Sequence, residues 1–173
     1  MKKSWKVIIS VVVILLIAAA AFFAYTSTLS PEAKLSFENN GVKVDVTYCQ
    51  PSKKGRDIFG TVVPYGKVWR TGANAATIVS FSKDVTVGGS AVPAGEYTLW
   101  TIPNEGNWTI ILNKETGQWG TNYDEAEDLM QVNVPAETAG ETVEKFTIKL
   151  IRAEGGIDMN LMWDETKVTV PIR

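Results

Sequence analysis

Apolar and polar residues alternate with a period of two through most of the chain beyond residue 33, the spacing that turns successive side chains to opposite faces of a strand. Val42, Val44, Val46 and Tyr48 fall on one face, and Lys43, Asp45, Thr47 and Cys49 on the other. The alternation returns at Phe146, Ile148 and Leu150, at Ile157, Met159, Leu161 and Trp163, and at Val168, Val170 and Ile172. Residues 77–82, 95–102 and 108–113 are instead apolar almost throughout, which predicts central strands with less of either face in water. Gly88-Gly89, between residues 84–87 and 90–92, predicts a hairpin with a primed turn. Beyond residue 25 only 122–130 hints at a helical turn or two. The pattern predicts an all-β domain over residues 35–173, with about nine or ten short strands in an antiparallel two-sheet β-sandwich of jelly-roll-like form. A closed barrel is the alternative.

The first residues follow a different rule. Residues 7–25 form a 19-residue apolar run with no charge, long enough to span a bilayer. A secretory signal has a shorter apolar core of about 7–15 residues, so a retained transmembrane signal anchor is predicted, with Ala18 to Ala21 as the cleavage site of the alternative. Lys2, Lys3 and Lys6 form a basic tip over residues 1–6, which by the positive-inside rule stays in the cytoplasm and sends the rest outward. Residues 26–34, with Ser27, Ser30 and Pro31, read as a short polar tether.

Charge and composition narrow the chemistry. Of the 17 basic residues three precede the apolar run, so the exported part carries 14 basic against 19 acidic side chains, a net charge of −5. That balance argues against a nucleic-acid partner. Histidine is absent, which removes Ser-His-Asp and Cys-His catalysis and histidine metal ligation. The single cysteine, Cys49, can form no internal disulfide and reads as a half-buried thiol at a strand end. No nucleotide-binding glycine motif is present. Asp124, Glu125, Glu127 and Asp128 form the densest acidic cluster; without a glycine at the turn position of a calcium loop they read as the solvated face of a short helix. Asn107-Trp108-Thr109 matches a glycosylation sequon, but inside an apolar strand it reads as coincidence. No metal or other cofactor is predicted.

The stretch that this scaffold does not need is residues 55–77, GRDIFGTVVPYGKVWRTGANAAT. Residues 53–70 hold five basic side chains, Lys53, Lys54, Arg56, Lys67 and Arg70, against Asp57 alone, so the other residues beyond the apolar run carry −9. One reading is structural: Ile58, Phe59, Val62, Val63 and Val68 cover an open end of the core, Trp69 plugs it, and Pro64-Tyr65-Gly66 makes a type II turn with proline at its second position. The other is a site. Arginine forks beside aromatic faces hold carboxylates and phosphates or stack on sugars, which marks Arg56 and Arg70 for an anionic group, Tyr65 and Trp69 as flat walls and Asn74 as a polar reader. Lys53 and Lys54 read as solvated loop charges.

The same stretch, followed by PAGEYTLWTIP, NWTIILN, QWGTNYD and a terminal LMWDETKVTVPI, resembles the exported bacterial family catalogued as domain of unknown function 2911, over roughly residues 35–173. That family is best known from the Bacteroidota. The resemblance implies a Gram-negative envelope and hence a periplasmic domain on the inner membrane; it carries no assigned activity that could be transferred to a residue. The reading favoured by the residues is a membrane-anchored binding module for an anionic envelope ligand, such as a glycan or a peptide carboxylate. Two alternatives stand beside it: an assembly module that docks a partner protein through residues 55–77, and a carboxylate-dependent glycan hydrolase drawing on Asp57 and the 124–128 cluster.

Overall fold

A computed structural model describes residues 2–173, with the side chains of residues 2–4, 22–24 and 26–28 outside the description. One helix, α1 (Lys2–Leu29), is followed by nine strands: β1 (Glu32–Asn39), β2 (Val42–Cys49), β3 (Thr77–Phe81), β4 (Val85–Val87), β5 (Ser90–Val92), β6 (Gly95–Pro103), β7 (Asn107–Asn113), β8 (Asp128–Ala153) and β9 (Gly156–Ile172). Only Ser30 and Pro31 stand between helix and first strand, where a longer tether was expected. Among the described residues no helix is long and apolar enough to cross a membrane. Most of the basic tip, Lys2 and Lys3 included, lies outside the described side chains.

The strands form one nine-stranded antiparallel sheet in the order β1-β2-β3-β6-β7-β8-β9-β4-β5. This corrects the expectation of two separate sheets. The cause is β8, a single strand that pairs with β7 through Pro135 and with β9 from Ala136 onward, with register shifts between Thr138 and Thr147. Proline has no N–H for a ladder, and Pro135 sits at the last β7 pair, where the strand changes partner. The sheet turns back on itself so that β2 meets the far half of β8. Ile148 N–H donates to Tyr48 Oη (3.0 Å), and beyond β2 Phe146 N–H donates to the Pro51 carbonyl (2.9 Å) and Lys53 N–H to the Glu144 carbonyl (2.7 Å). Between the facing halves lies the main core, with Val44, Val46, Leu99, Ile110, Phe146 and Leu161 all nearly inaccessible.

The alternation seen in the sequence sets which side chains enter that core. Val44, Val46 and Tyr48 of β2 are buried, as are Ile157, Met159, Leu161 and Trp163 of β9. β6 and β7 are buried on both faces because a second cluster, Ala76, Trp100 and Ile111, is covered from outside by Tyr123 and Ile102. The β4–β5 hairpin turns at Gly88 and Gly89 with φ of 57° and 92°, as the glycine pair predicted. Asn40-Gly41 makes the same kind of turn between β1 and β2, with φ of 53° and 73°. The acidic cluster forms only a single 3₁₀ turn, Glu125–Glu127, in place of the short helix expected. Asp124 caps that turn through the Ala126 N–H (2.9 Å), and Asp128 accepts from Asn113, Tyr123 and Gln131.

Candidate functional site

Between β2 and β3 the chain runs from Gln50 to Ala76 with no strand of its own, held by single bridges to the sheet. Trp69 N–H donates to the Thr101 carbonyl (2.7 Å) and Thr101 N–H to the Trp69 carbonyl (2.9 Å), which fixes the middle of the loop to β6. Ile58 and Val63 are buried beneath it. The positive φ of the Pro64 turn falls on Gly66 (68°) and not on Tyr65, so the turn is not type II with tyrosine at its third position.

Trp69 is 9% exposed and belongs to the core. Its ring centroid lies 5.0 Å from Phe146, 6.0 Å from Trp108 and 5.9 Å from Trp163, the last nearly parallel at 19°. Phe59 completes the cluster at 6.1 Å. The indole Nε1–H donates to the Gly72 carbonyl (3.1 Å), so the polar atom of a buried ring is satisfied within its own loop. The plug of the structural reading is present in Ile58, Val63 and Trp69, whereas Val62 and Val68, read as part of the same cover, are exposed.

A cavity stands on top of that plug. Above the aromatic cluster opens a cavity of about 480 Å³, within the size range of ligand pockets. Arg56, Trp69 and Arg70 line it together with Lys54, Trp163 and Val62. Tyr65 and Asn74 do not. Tyr65 lies over Gly60, where an added Cβ would sit 3.1 Å from its ring, and Asn74 accepts Gly120 N–H on its carbonyl (3.0 Å) while its side chain bonds the Cys49 thiol. Lys53 is also elsewhere, ion-paired with Asp164, whose hydrogen bond raises the pKa of the ammonium. Lys54, exposed as expected, is also a lining residue.

The pocket has three cations and no acid in its lining. None of the lining residues is Asp or Glu, and among the described residues neither Arg56 nor Arg70 is in a salt bridge. Glu144, near the rim, takes the Lys54 main-chain N–H (2.9 Å). Arg56 is exposed and curls onto its own loop, donating through Nε to the Lys53 carbonyl (2.9 Å) and through Nη2 to the Ser52 carbonyl (2.7 Å). Arg70 is half-buried. Its Nη1 donates to the Gly120 carbonyl (2.9 Å), while its Nε is buried without a partner. Desolvation lowers its pKa from the ordinary value, the sign of a charge taken from water without a counter-charge. Because no carboxylate lines the cavity, the paired acids of a glycan hydrolase are missing from it.

Cys49 and two tyrosines supply a pH-dependent contribution to stability. Burial is the main cause that raises the pKa of Cys49, Tyr48 and Tyr123, and for Tyr123 the hydrogen bond to Asp128 adds to it. A proton held more tightly in the folded state contributes stability that is complete below the unfolded pKa and is lost as pH rises through the folded one. The ordinary values lie near 8.5 for a thiol and 10 for a phenol. Urea midpoints are therefore expected to hold to about pH 8 and to fall steadily above about pH 9. In Tyr123→Phe the alkaline fall is expected to be shallower; an unchanged slope would exclude Tyr123 from it.

A family model described as protein of unknown function (DUF2911) matches residues 30–172, which takes in every strand and the whole loop from Gln50 to Ala76. No curated protein and no solved structure matches the chain.

Proposed function

The chain belongs to the DUF2911 family of proteins of unknown function, and we propose that it is a binding module whose open pocket takes an anionic ligand, such as a glycan acid or a peptide carboxylate, between Arg56 and Arg70. The observation that carries this reading is Arg70. A half-buried guanidinium with an unpartnered Nε and no carboxylate neighbour is costly to hold in place. An anion in the adjacent cavity offsets that cost, and a guanidinium fork is the donor best shaped for a carboxylate or phosphate. Trp69 and Trp163 supply a flat apolar floor and a fluorescence reporter.

The test is tryptophan fluorescence of the full chain titrated with acidic glycans and peptides. A saturable response is expected, weakened about 10- to 100-fold by Arg70→Ala, as for a lost charged hydrogen bond. Arg56→Ala is expected to weaken it less, because Arg56 is exposed and already shares two donors with carbonyls. If both variants fold and bind as the wild type does, the reading is wrong.

The same proposal places the domain on the periplasmic side of an inner membrane, held there by residues 7–25, although among the described residues no helix is long and apolar enough to cross one. Its support is the sequence run itself and the exposure of that run: from Val7 to Ile17 the large apolar side chains of α1 are 46–65% exposed on every side of the helix. A helix apolar all round is stable only when covered. A C-terminal alkaline phosphatase fusion in a Gram-negative host is expected to be active and to remain with membranes after carbonate extraction. A second reading, docking of a partner protein, draws on the exposed Val62, Tyr65 and Val68 of the same loop. Crosslinking belongs at Tyr65, since Trp69 is buried.

A further inference from the structure

The cavity wall is shared with the helix. Leu29, the last residue of α1, and Ser30 after it line the pocket on the same footing as Arg56 and Arg70. Leu29 is 39% exposed and Val62, another lining residue, 42% exposed. A pocket meant only for a small hydrophilic anion has no use for exposed leucine and valine at its wall, nor for an apolar helix leading away from it. Resting on the anion-site reading above, we propose that the ligand is an anionic amphiphile, its phosphate or carboxylate head held by Arg56 and Arg70 and its hydrocarbon running out past Leu29 and Val62 along α1.

Three features fit one such molecule. The cations of the lining, Lys54, Arg56 and Arg70, are uncompensated by any lining acid and suit one charged head. The floor of Trp69 and Trp163 takes the apolar segment next to that head. Leu29 at the pocket wall is exposed, and exposed apolar side chains recur along α1 at Tyr25 and from Ile17 back to Val7. The cavity of about 480 Å³ is large for phosphate alone and accommodates a head group with the first carbons of a chain.

The test compares two ligands with the same head. The full chain in uncharged maltoside micelles is titrated with methyl phosphate and with hexyl phosphate, read by tryptophan fluorescence. Hexyl phosphate is expected to bind at least about tenfold more tightly, the gain from burying two methylenes. Arg70→Ala is expected to weaken both ligands. Leu29→Asn with Val62→Asn, both at exposed positions, is expected to remove the advantage of hexyl phosphate and bring the two ligands to equal affinity. Equal affinity for the two ligands overturns the amphiphile and leaves the anion site standing. An advantage that survives the Leu29 and Val62 changes also overturns it, since it then reflects partition into the micelle. Failure of both ligands to bind overturns the phosphate head and, with the acidic glycans and peptides also silent, the anion site itself.

Discussion

Replacing Trp69 with alanine is expected to destabilise the folded domain by about 3–5 kcal/mol, the range for deleting a large buried aromatic side chain. The ring touches Phe59 from its own loop, Trp108 from β7, Phe146 from β8 and Trp163 from β9. Its loss leaves a cavity between strands that are far apart in sequence, and these cannot close on it without moving the sheet. The loop itself is also released, because Trp69 Nε1–H no longer holds the Gly72 carbonyl. Trp69→Phe keeps part of the burial and is expected to recover about half of the loss. Urea unfolding of the two variants measures both effects. A loss under about 1 kcal/mol for the alanine variant, the usual size of a surface change or less, would show that the ring is not a core residue.

Gly120→Ala is expected to damage stability and binding together. An added Cβ at Gly120 would overlap Arg70 Cδ and lie 2.5 Å from the Asn74 carbonyl oxygen, which is backbone and cannot swing aside. Gly120 is also the residue whose carbonyl accepts from Arg70 Nη1 and whose N–H donates to Asn74. The substitution therefore forces the 114–123 loop away from the site and takes the anchor of Arg70 with it. Overpacking of this kind costs about 1–3 kcal/mol, and more where backbone blocks relaxation. Gly106→Ala is the control: nothing lies within 4 Å of its added Cβ, so a change within about 0.5 kcal/mol is expected. Anion affinity measured on both variants separates them further. Gly106→Ala should bind as the wild type does, and Gly120→Ala should lose about as much affinity as Arg70→Ala.

The local chemistry of the strands was legible because it is written in neighbouring residues. Val42 to Tyr48 alternates, and β2 buries the predicted face; Gly88-Gly89 demands positive φ, and the hairpin turns there. What could not be read was pairing at long range. β8 runs past Pro135 and Gly140, because the proline falls where the strand exchanges partners and Gly140 lies within a register shift. Two expected sheets are thereby one. The site divided in the same way. The surplus of arginine, lysine and aromatic residues in residues 53–77 singled out this loop, and of its residues Arg56, Trp69 and Arg70 line the cavity. Tyr65 and Asn74 do not, since their directions are set by Gly60 beneath one and by Cys49 beside the other. Trp163 and Leu29 were missed as lining residues because each arrives from a distant element, β9 and α1. The alternation that placed Trp163 on the core face of its strand was the one signal available for it.

Plug and proposed site are two layers of one loop: the buried ring of Trp69 fixes the strands, and Arg70, one residue on, carries a buried Nε without a partner. Under the proposed function the charge of Arg70 awaits an anion. The most direct test of that claim is nuclear magnetic resonance of the arginine side-chain Nε–H groups in the full chain, with the Arg70 signal assigned by its loss in Arg70→Lys. Titration with methyl phosphate is predicted to move the Arg70 Nε–H resonance in a saturable way, with the Arg56 signal following and Arg152, at the far end of β8, unchanged. An Arg70 signal that stays fixed, or that moves only in proportion with Arg152, would contradict the account.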